Sequence, residues 1–194
     1  MKNNSVERAK NYIQMLFGNH ADGHDVGHTM RVYRNAVHIA EHYPECDLEL
    51  VSLAALLHDV DDAKLFHTEN NANARYFLHG QNVEEARIDE ICAIINSVSF
   101  SKNKGRRPDT LEGKIVQDAD RLDAMGAIGI ARTFAYGGKS GRSMESSIEH
   151  FHDKLLLLKD GLNTEEAKRI GEARHAFLEK FLKEYENEEQ VMEE

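Results

Sequence analysis

A chain of 194 residues, 41% of them hydrophobic, is sized for one domain with a sizeable core. Its net charge of −10 weighs against general nucleic-acid binding, which gains affinity by neutralising phosphates, but leaves room for a small anionic substrate held by local cations. No stretch approaches the ~20 apolar residues that span a bilayer, the N-terminal MKNNSVERAKNY has no apolar signal core, and Cys46 and Cys92 form no Cys-x-x-Cys pair, so the expectation is a cytoplasmic protein, a single domain over 1–194, without membrane contact or a disulfide framework.

Apolar residues recur at helical spacing almost throughout, and no alternating β-branched run is long enough for a strand, so the predicted fold class is all-α. The first helix is expected over 4–17, with Ser5 opening a Ser-x-x-Glu start. A second is expected over 25–42, striped by Val26, Met30, Tyr33, Val37 and Ala40. Asp25 suits its N-cap, and His24 sits just outside, along the helix N-terminus. His28 precedes Val32 by four on a face continuing to Ala36 and Ile39, and Arg31 shares that side. The third, 47–59, carries Leu50, Leu53, Ala54 and Leu57 and ends in LAALLHDVDDAK, where His58 and Asp59 fall on inward positions. A loop over 60–67 holds Asp61, Asp62, Lys64 and His67.

Helices over 68–79 and 84–97 lead to a basic loop, SFSKNKGRRPD, with Lys102, Lys104, Arg106 and Arg107. The helix over 110–122, opened by Asp109, has the stripe Leu111, Ile115, Ala119 and Leu122, interrupted by Asp118 and Asp120 and followed by Asp123. Helices over 124–135, 144–159 and 163–186 complete the chain, the last opened by Asn163, with a loop over 136–143 and a frayed acidic tail. Tyr136-Gly137-Gly138-Lys139 and GKSGR lack the order and the preceding strand of a phosphate-binding loop.

A His-Asp pair at a helix end is ordinarily a hydrogen-bonded structural feature. Here it has company. Burying carboxylates is costly without a partner charge or a metal. Two histidines and two aspartates from three helices form a mixed nitrogen–oxygen set suited to a six-coordinate divalent ion such as manganese or iron, whereas a closed zinc site would favour cysteines. Helical geometry leaves Asp118 and Asp120 both open, since they lie about 200° apart around the helix and only one is expected to reach a shared ion.

HDVGHTMRV, AALLHDV and above all KIVQDADRLDAMGAIGIARTF resemble the HD-domain metal-dependent phosphohydrolase superfamily, in a branch of small bacterial hydrolases, over roughly residues 20–185. The resemblance implies an all-helical bundle with one divalent metal between helices, Mn2+ first, with Fe2+, Mg2+, Co2+ and Ni2+ as alternatives. It implies His28, His58, Asp59 and Asp120 as ligands, because Ala-Asp-x-Leu lands on Ala119-Asp120-Arg121-Leu122. Water activated by that metal would attack phosphorus. Asp62, four residues after His58, is the candidate general acid or base. Phosphate oxygens need cations, for which His24, Arg31, Lys64 and His67 are the candidates; Arg132 could reach the site or pair with an acid. His38, His42, His150, His152 and His175 are expected to be ordinary surface or core residues, and His79 is left open.

The substrate implied is a small phosphorylated molecule, a nucleotide, with a nucleoside triphosphate cleaved to monophosphate and pyrophosphate. The alternatives are a nucleotide 5′-phosphatase, a phosphodiesterase, or a non-catalytic domain sensing nucleotide or metal. The absence of an HD-Gly-Tyr-Pro pattern weighs against cyclic dinucleotides.

Overall fold

The computed structural model describes residues 4–18, 26–63, 65–99, 103 and 105–191. Helix α1 (Asn4–Phe17) turns Val6, Ala9, Ile13 and Phe17 inward at steps of three and four. Helix α2 (Val26–Ala40) does the same with Val32, Ala36 and Ile39. Helix α3 (Leu48–Leu57) differs, because every residue from Leu50 to Leu57 is buried. It packs against α1, α2 and the later helix α5 (Glu85–Val98), so it is wrapped on several sides. Each fully buried leucine there contributes on the order of 1.5–3 kcal/mol. Its start is fixed by Asp47, which accepts from the Leu50 N–H at 3.0 Å and is gripped by Arg87 at 2.5 Å.

Helix α4 (Ala72–Gly80) packs on α5, and α6 (Leu111–Asp123) follows the basic loop. By its contacts the chain forms two compact units, Met1–Asp120 and Arg121–Glu194, the border falling inside α6. The second unit contains α7 (Gly126–Lys139), α8 (Met144–Asp153), two single 3-10 turns at Leu155–Leu157 and Lys159–Gly161, and α9 (Glu165–Val191). Phe134, Phe151 and Phe181 form its aromatic centre. Gly126 has φ +66° at the entry to α7, where a side chain would be strained and would press on Arg174. Arg174 donates to the Leu122 carbonyl at 2.6 Å, satisfying an acceptor at the end of α6.

The fold is all-α: no strand occurs among the described residues. No described helix is long and apolar enough to cross a membrane.

Several boundaries differ from expectation for identifiable reasons. Ser5 is already helical, since α1 begins by Asn4. The caps expected at Asp109 and Asn163 belong one residue later: the Thr110 hydroxyl accepts from Gly113 and the Thr164 hydroxyl from Ala167. Helix α4 starts at Ala72 rather than 68, because Asn70 and Asn71 adopt left-handed φ of 55° and 56°. Its cap comes from afar, the Asp61 carboxylate accepting from the Asn73 and Ala74 N–H groups at 2.9 and 3.0 Å. Helix α7 runs through the expected loop at 136–139, where Gly137 allows close approach to Ser147. Helix α8 stops at Asp153, well short of 159, whereas α9 continues into the acidic tail as far as Val191.

Candidate metal centre

The apolar stripe of α2 carries His28 to the same buried face as Val32 and Ala36. At the far end of α3, His58 is the C-cap, still in right-handed helical conformation, so its side chain continues the helix's inward direction. Its Nδ1 lies 2.9 Å from the Ala55 carbonyl. An Nδ1–H donating there leaves Nε2 as the lone-pair nitrogen, the arrangement that orients metal-binding imidazoles. Asp59 follows in the turn. Asp120 projects from α6, and the Asn35 side chain of α2 donates to the Ala119 carbonyl at 3.4 Å, tying the helix of His28 to that of Asp120.

These four side chains meet. His28 Nε2 and His58 Nε2 are 3.3 Å apart. Asp59 Oδ2 lies 3.4 and 3.3 Å from them, and Asp120 Oδ1 3.5 and 3.8 Å. Donors of His28, His58 and Asp120 all fall within 4.8 Å of one another, the one such gathering among the described residues. Asp59 stands outside that trio but contacts both imidazoles. The imidazoles are 2% and 3% exposed, the Asp59 side chain 12% and that of Asp120 25%, so the centre opens on the Asp120 side.

Burial pulls the His58 pKa down, but the charges of Asp59 and Asp120 and the bonds to Asp59 and the Ala55 carbonyl outweigh it and lift the pKa to about 9. Two imidazole nitrogens and two carboxylates converging in a largely buried space attract positive charge, which a proton supplies in part and a divalent cation supplies better. The donor set therefore fits a hard or borderline divalent ion with neutral imidazole and carboxylate ligands. No cysteine takes part.

Asp118 is fully buried but does not join the histidines. Asp62 is half-buried in the turn beyond Asp59: its N–H donates to the Asp59 carbonyl at 3.0 Å and its carbonyl accepts from Leu65 and Phe66. Arg31 is half-buried on α2 and His67 is exposed. His24, Lys64, Asp25, Lys102 and Lys104 lie outside the described residues. Arg132 pairs with Asp123 at 2.6 Å, the acid-pairing alternative. His79 lies 3.6 Å from Glu85 on the surface rather than in the cluster.

Three supporting residues escaped the sequence analysis. Asn35 reaches Ala119, Asp61 caps α4, and Gln117 of α6 donates to the Ser97 carbonyl at 2.9 Å and the Arg106 carbonyl at 3.4 Å, holding the basic loop. Their partners are 84, 12 and 20 residues away, so no local pattern marks them. Among them only Gln117 left a signal, as a polar residue inside an apolar stretch.

Residues 25–125, which span all four converging side chains, match the HD domain family. The chain belongs to the HD-domain family. It is 37% identical over 94% of its length to the protein YpgQ of Bacillus subtilis, covering 93% of that relative. The crystal structure of YpgQ in complex with ADP superimposes with a TM-score of 0.81 at 35% identity, covering 94% of this chain and 97% of that one. An HD-superfamily hydrolase of Bacillus thuringiensis gives 0.80 at 36% identity over 98% and 99% of the two chains. A protein of Lactobacillus plantarum gives 0.87 at 33% identity, over 97% and 98%. The HD-domain chain described here is thus a member of the HD phosphohydrolase superfamily, with a His/Asp cluster that could hold a metal ion.

Proposed function

We propose that this HD-domain chain is a metal-dependent nucleotide pyrophosphohydrolase that cleaves nucleoside triphosphates between the α- and β-phosphates. The observation that carries it is the convergence of His28, His58, Asp59 and Asp120 on one largely buried point, where two imidazole nitrogens and two carboxylates meet. The ADP complex of the related YpgQ supports a nucleotide as the ligand class. His28, His58, Asp59 and Asp120 would hold the ion, Mn2+ first among divalent metals. Such an ion polarises a phosphoryl oxygen and lowers the pKa of water at the site. Asp62 transfers a proton in the turn next to Asp59. His24, Arg31, Lys64 and His67 hold phosphate oxygens, more cations than a single phosphate needs. Binding energy from the outer phosphates then orients the α-phosphorus for attack, water adding to it as pyrophosphate departs.

The test is a panel of nucleoside tri-, di- and monophosphates and cyclic nucleotides incubated with manganese-loaded protein, with products followed by phosphorus NMR. Pyrophosphate with the matching monophosphate is the expected outcome. Orthophosphate released with a preference for monophosphates would make it a 5′-phosphatase, and opening of a cyclic nucleotide a phosphodiesterase. Tight metal and nucleotide binding with no product would make it a sensing domain.

A further inference from the structure

The loop that leaves His58 and Asp59 begins and ends on the wall of an open cavity of about 440 Å³. Asp61 stands at one end of the loop and Thr68 at the other; Asn70, Asn71 and Arg75 continue the wall, and α5 closes it with Asn96 and its neighbours. Its volume lies within the ~300–1,000 Å³ typical of small-molecule sites. Asp61 is two residues beyond Asp59, a chain length of about 7 Å at most. The cavity therefore starts within a nucleotide's length of the His/Asp cluster.

The charges on this wall are already matched. Arg75 holds Glu85 at 2.9 Å and Asp89 at 2.5 Å. Asp61 uses one oxygen on the Asn73 N–H and the other on that of Ala74. Little unpaired charge is left for an ion or a phosphate. What remains is neutral hydrogen-bonding capacity. Asn71 and Asn96 exchange amide hydrogen bonds of 3.2 and 3.0 Å, which use one donor and one acceptor on each. That reciprocal pairing consumes the edge the two amides share, so each keeps one outward N–H and one outward lone pair, on opposite sides, for single hydrogen bonds to a ligand. The Asn70 amide makes no hydrogen bond among the described residues, and the Thr68 hydroxyl is buried without a partner. Asn70 and Asn71 are both held at left-handed φ, a strained pairing maintained at the cavity's edge.

We propose that this cavity seats the nucleoside part of the substrate, its base edge facing the Asn70, Asn71 and Asn96 amides while the phosphates lie at the His/Asp cluster. The assignment rests on the nucleotide reading above. It makes Asn96 and Asn71 determinants of base preference.

The experiment uses two kinds of probe on the full chain: the free nucleosides adenosine, guanosine, cytidine and uridine, which have a base but no phosphate, and inorganic tripolyphosphate, which has phosphates but no base. At least one nucleoside should shift the side-chain amide signals of Asn71 and Asn96 in ¹⁵N NMR, and tripolyphosphate should leave them in place. Asn96→Leu removes the amide, and Ala93→Trp fills the cavity from a lining position that makes no polar contact. Both should abolish the nucleoside shifts and raise KM for nucleoside triphosphates about tenfold or more, with the inhibition constant of tripolyphosphate held within about twofold. Nucleosides that leave both amide signals unmoved overturn the proposal, even if triphosphates are hydrolysed. So does an unchanged KM in a folded Ala93→Trp variant. Nucleoside binding here in a protein that hydrolyses no nucleotide would keep the subsite and discard the pyrophosphohydrolase reading.

Discussion

The Nε2 atoms of His28 and His58 stand 3.3 Å apart, from helices α2 and α3. The His58 Nδ1 is turned to the Ala55 carbonyl, so its Nε2 faces the other ring. Two ring nitrogens at this distance share a proton or a cation, and Asp59 and Asp120 add negative charge from the sides that favours one. Replacing Asp59 with Ala should therefore remove most bound metal, read by elemental analysis after dialysis, while helical content by circular dichroism is retained. Full metal content in that variant would remove Asp59 from the ligand set.

The two aspartates of α6 should separate cleanly. Asp120→Ala should lose metal, because Asp120 is the carboxylate gathered with both histidines. Asp118→Ala should keep the metal and lose stability instead, since Asp118 is fully buried and its removal disturbs packing and hydrogen bonding, at a cost of about 1–3 kcal/mol. Metal titration and thermal melts of the two variants decide it. The reverse pattern would overturn the assignment.

Asp62→Asn should lower kcat by roughly 10²–10⁴-fold with metal still bound, the loss typical of a proton-transfer group. The turn itself should survive, because the bonds holding it run through the backbone of Asp62. Unchanged turnover would make Asp62 a solvated loop acid.

Gln117→Leu should loosen the basic loop while sparing the metal. Its amide is the donor shared by the Ser97 and Arg106 carbonyls, and leaving such acceptors short of a partner costs about 1–3 kcal/mol. The expected readings are a lower melting temperature with metal content unchanged. A variant with wild-type melting temperature would show that the loop is held by other contacts, such as those of Asn103 to the Asn96 and Ser99 carbonyls.

Asp47 offers a pH-dependent test. Burial pushes its pKa up, but the Leu50 N–H and Arg87 favour the carboxylate and bring the net shift below the usual value. A depressed folded-state pKa contributes stability that is present above the unfolded value of about 3.9 and disappears as pH falls through the folded value. Asp47→Ala should thus cost about 1 kcal/mol near neutral pH, as for loss of an N-cap. The gap from wild type should close in denaturant melts repeated at decreasing pH, and a gap independent of pH would refute the charged cap.

Local chemistry by itself determined much of this protein. Apolar spacing was enough for the all-α class, because a helix buries its apolar face wherever it docks; the stripe of α2 carries His28 inward, and the apolar run of α3, buried on every side, takes His58 with it. Asp109 and Asn163, read as helix starts, stand one residue before the Thr110 and Thr164 hydroxyls that cap α6 and α9. The choice between Asp118 and Asp120 was different. Both lie on apolar sides of one helix, and which side meets the histidines depends on the helices packed around α6, not on α6 alone. The same holds for Asp61, which caps a helix that begins eleven residues later, and for Asn71 and Asn96, which meet across 25 residues. Hydrogen bonds between distant segments form only after hydrophobic packing has brought those segments together, so tertiary structure alone decided them.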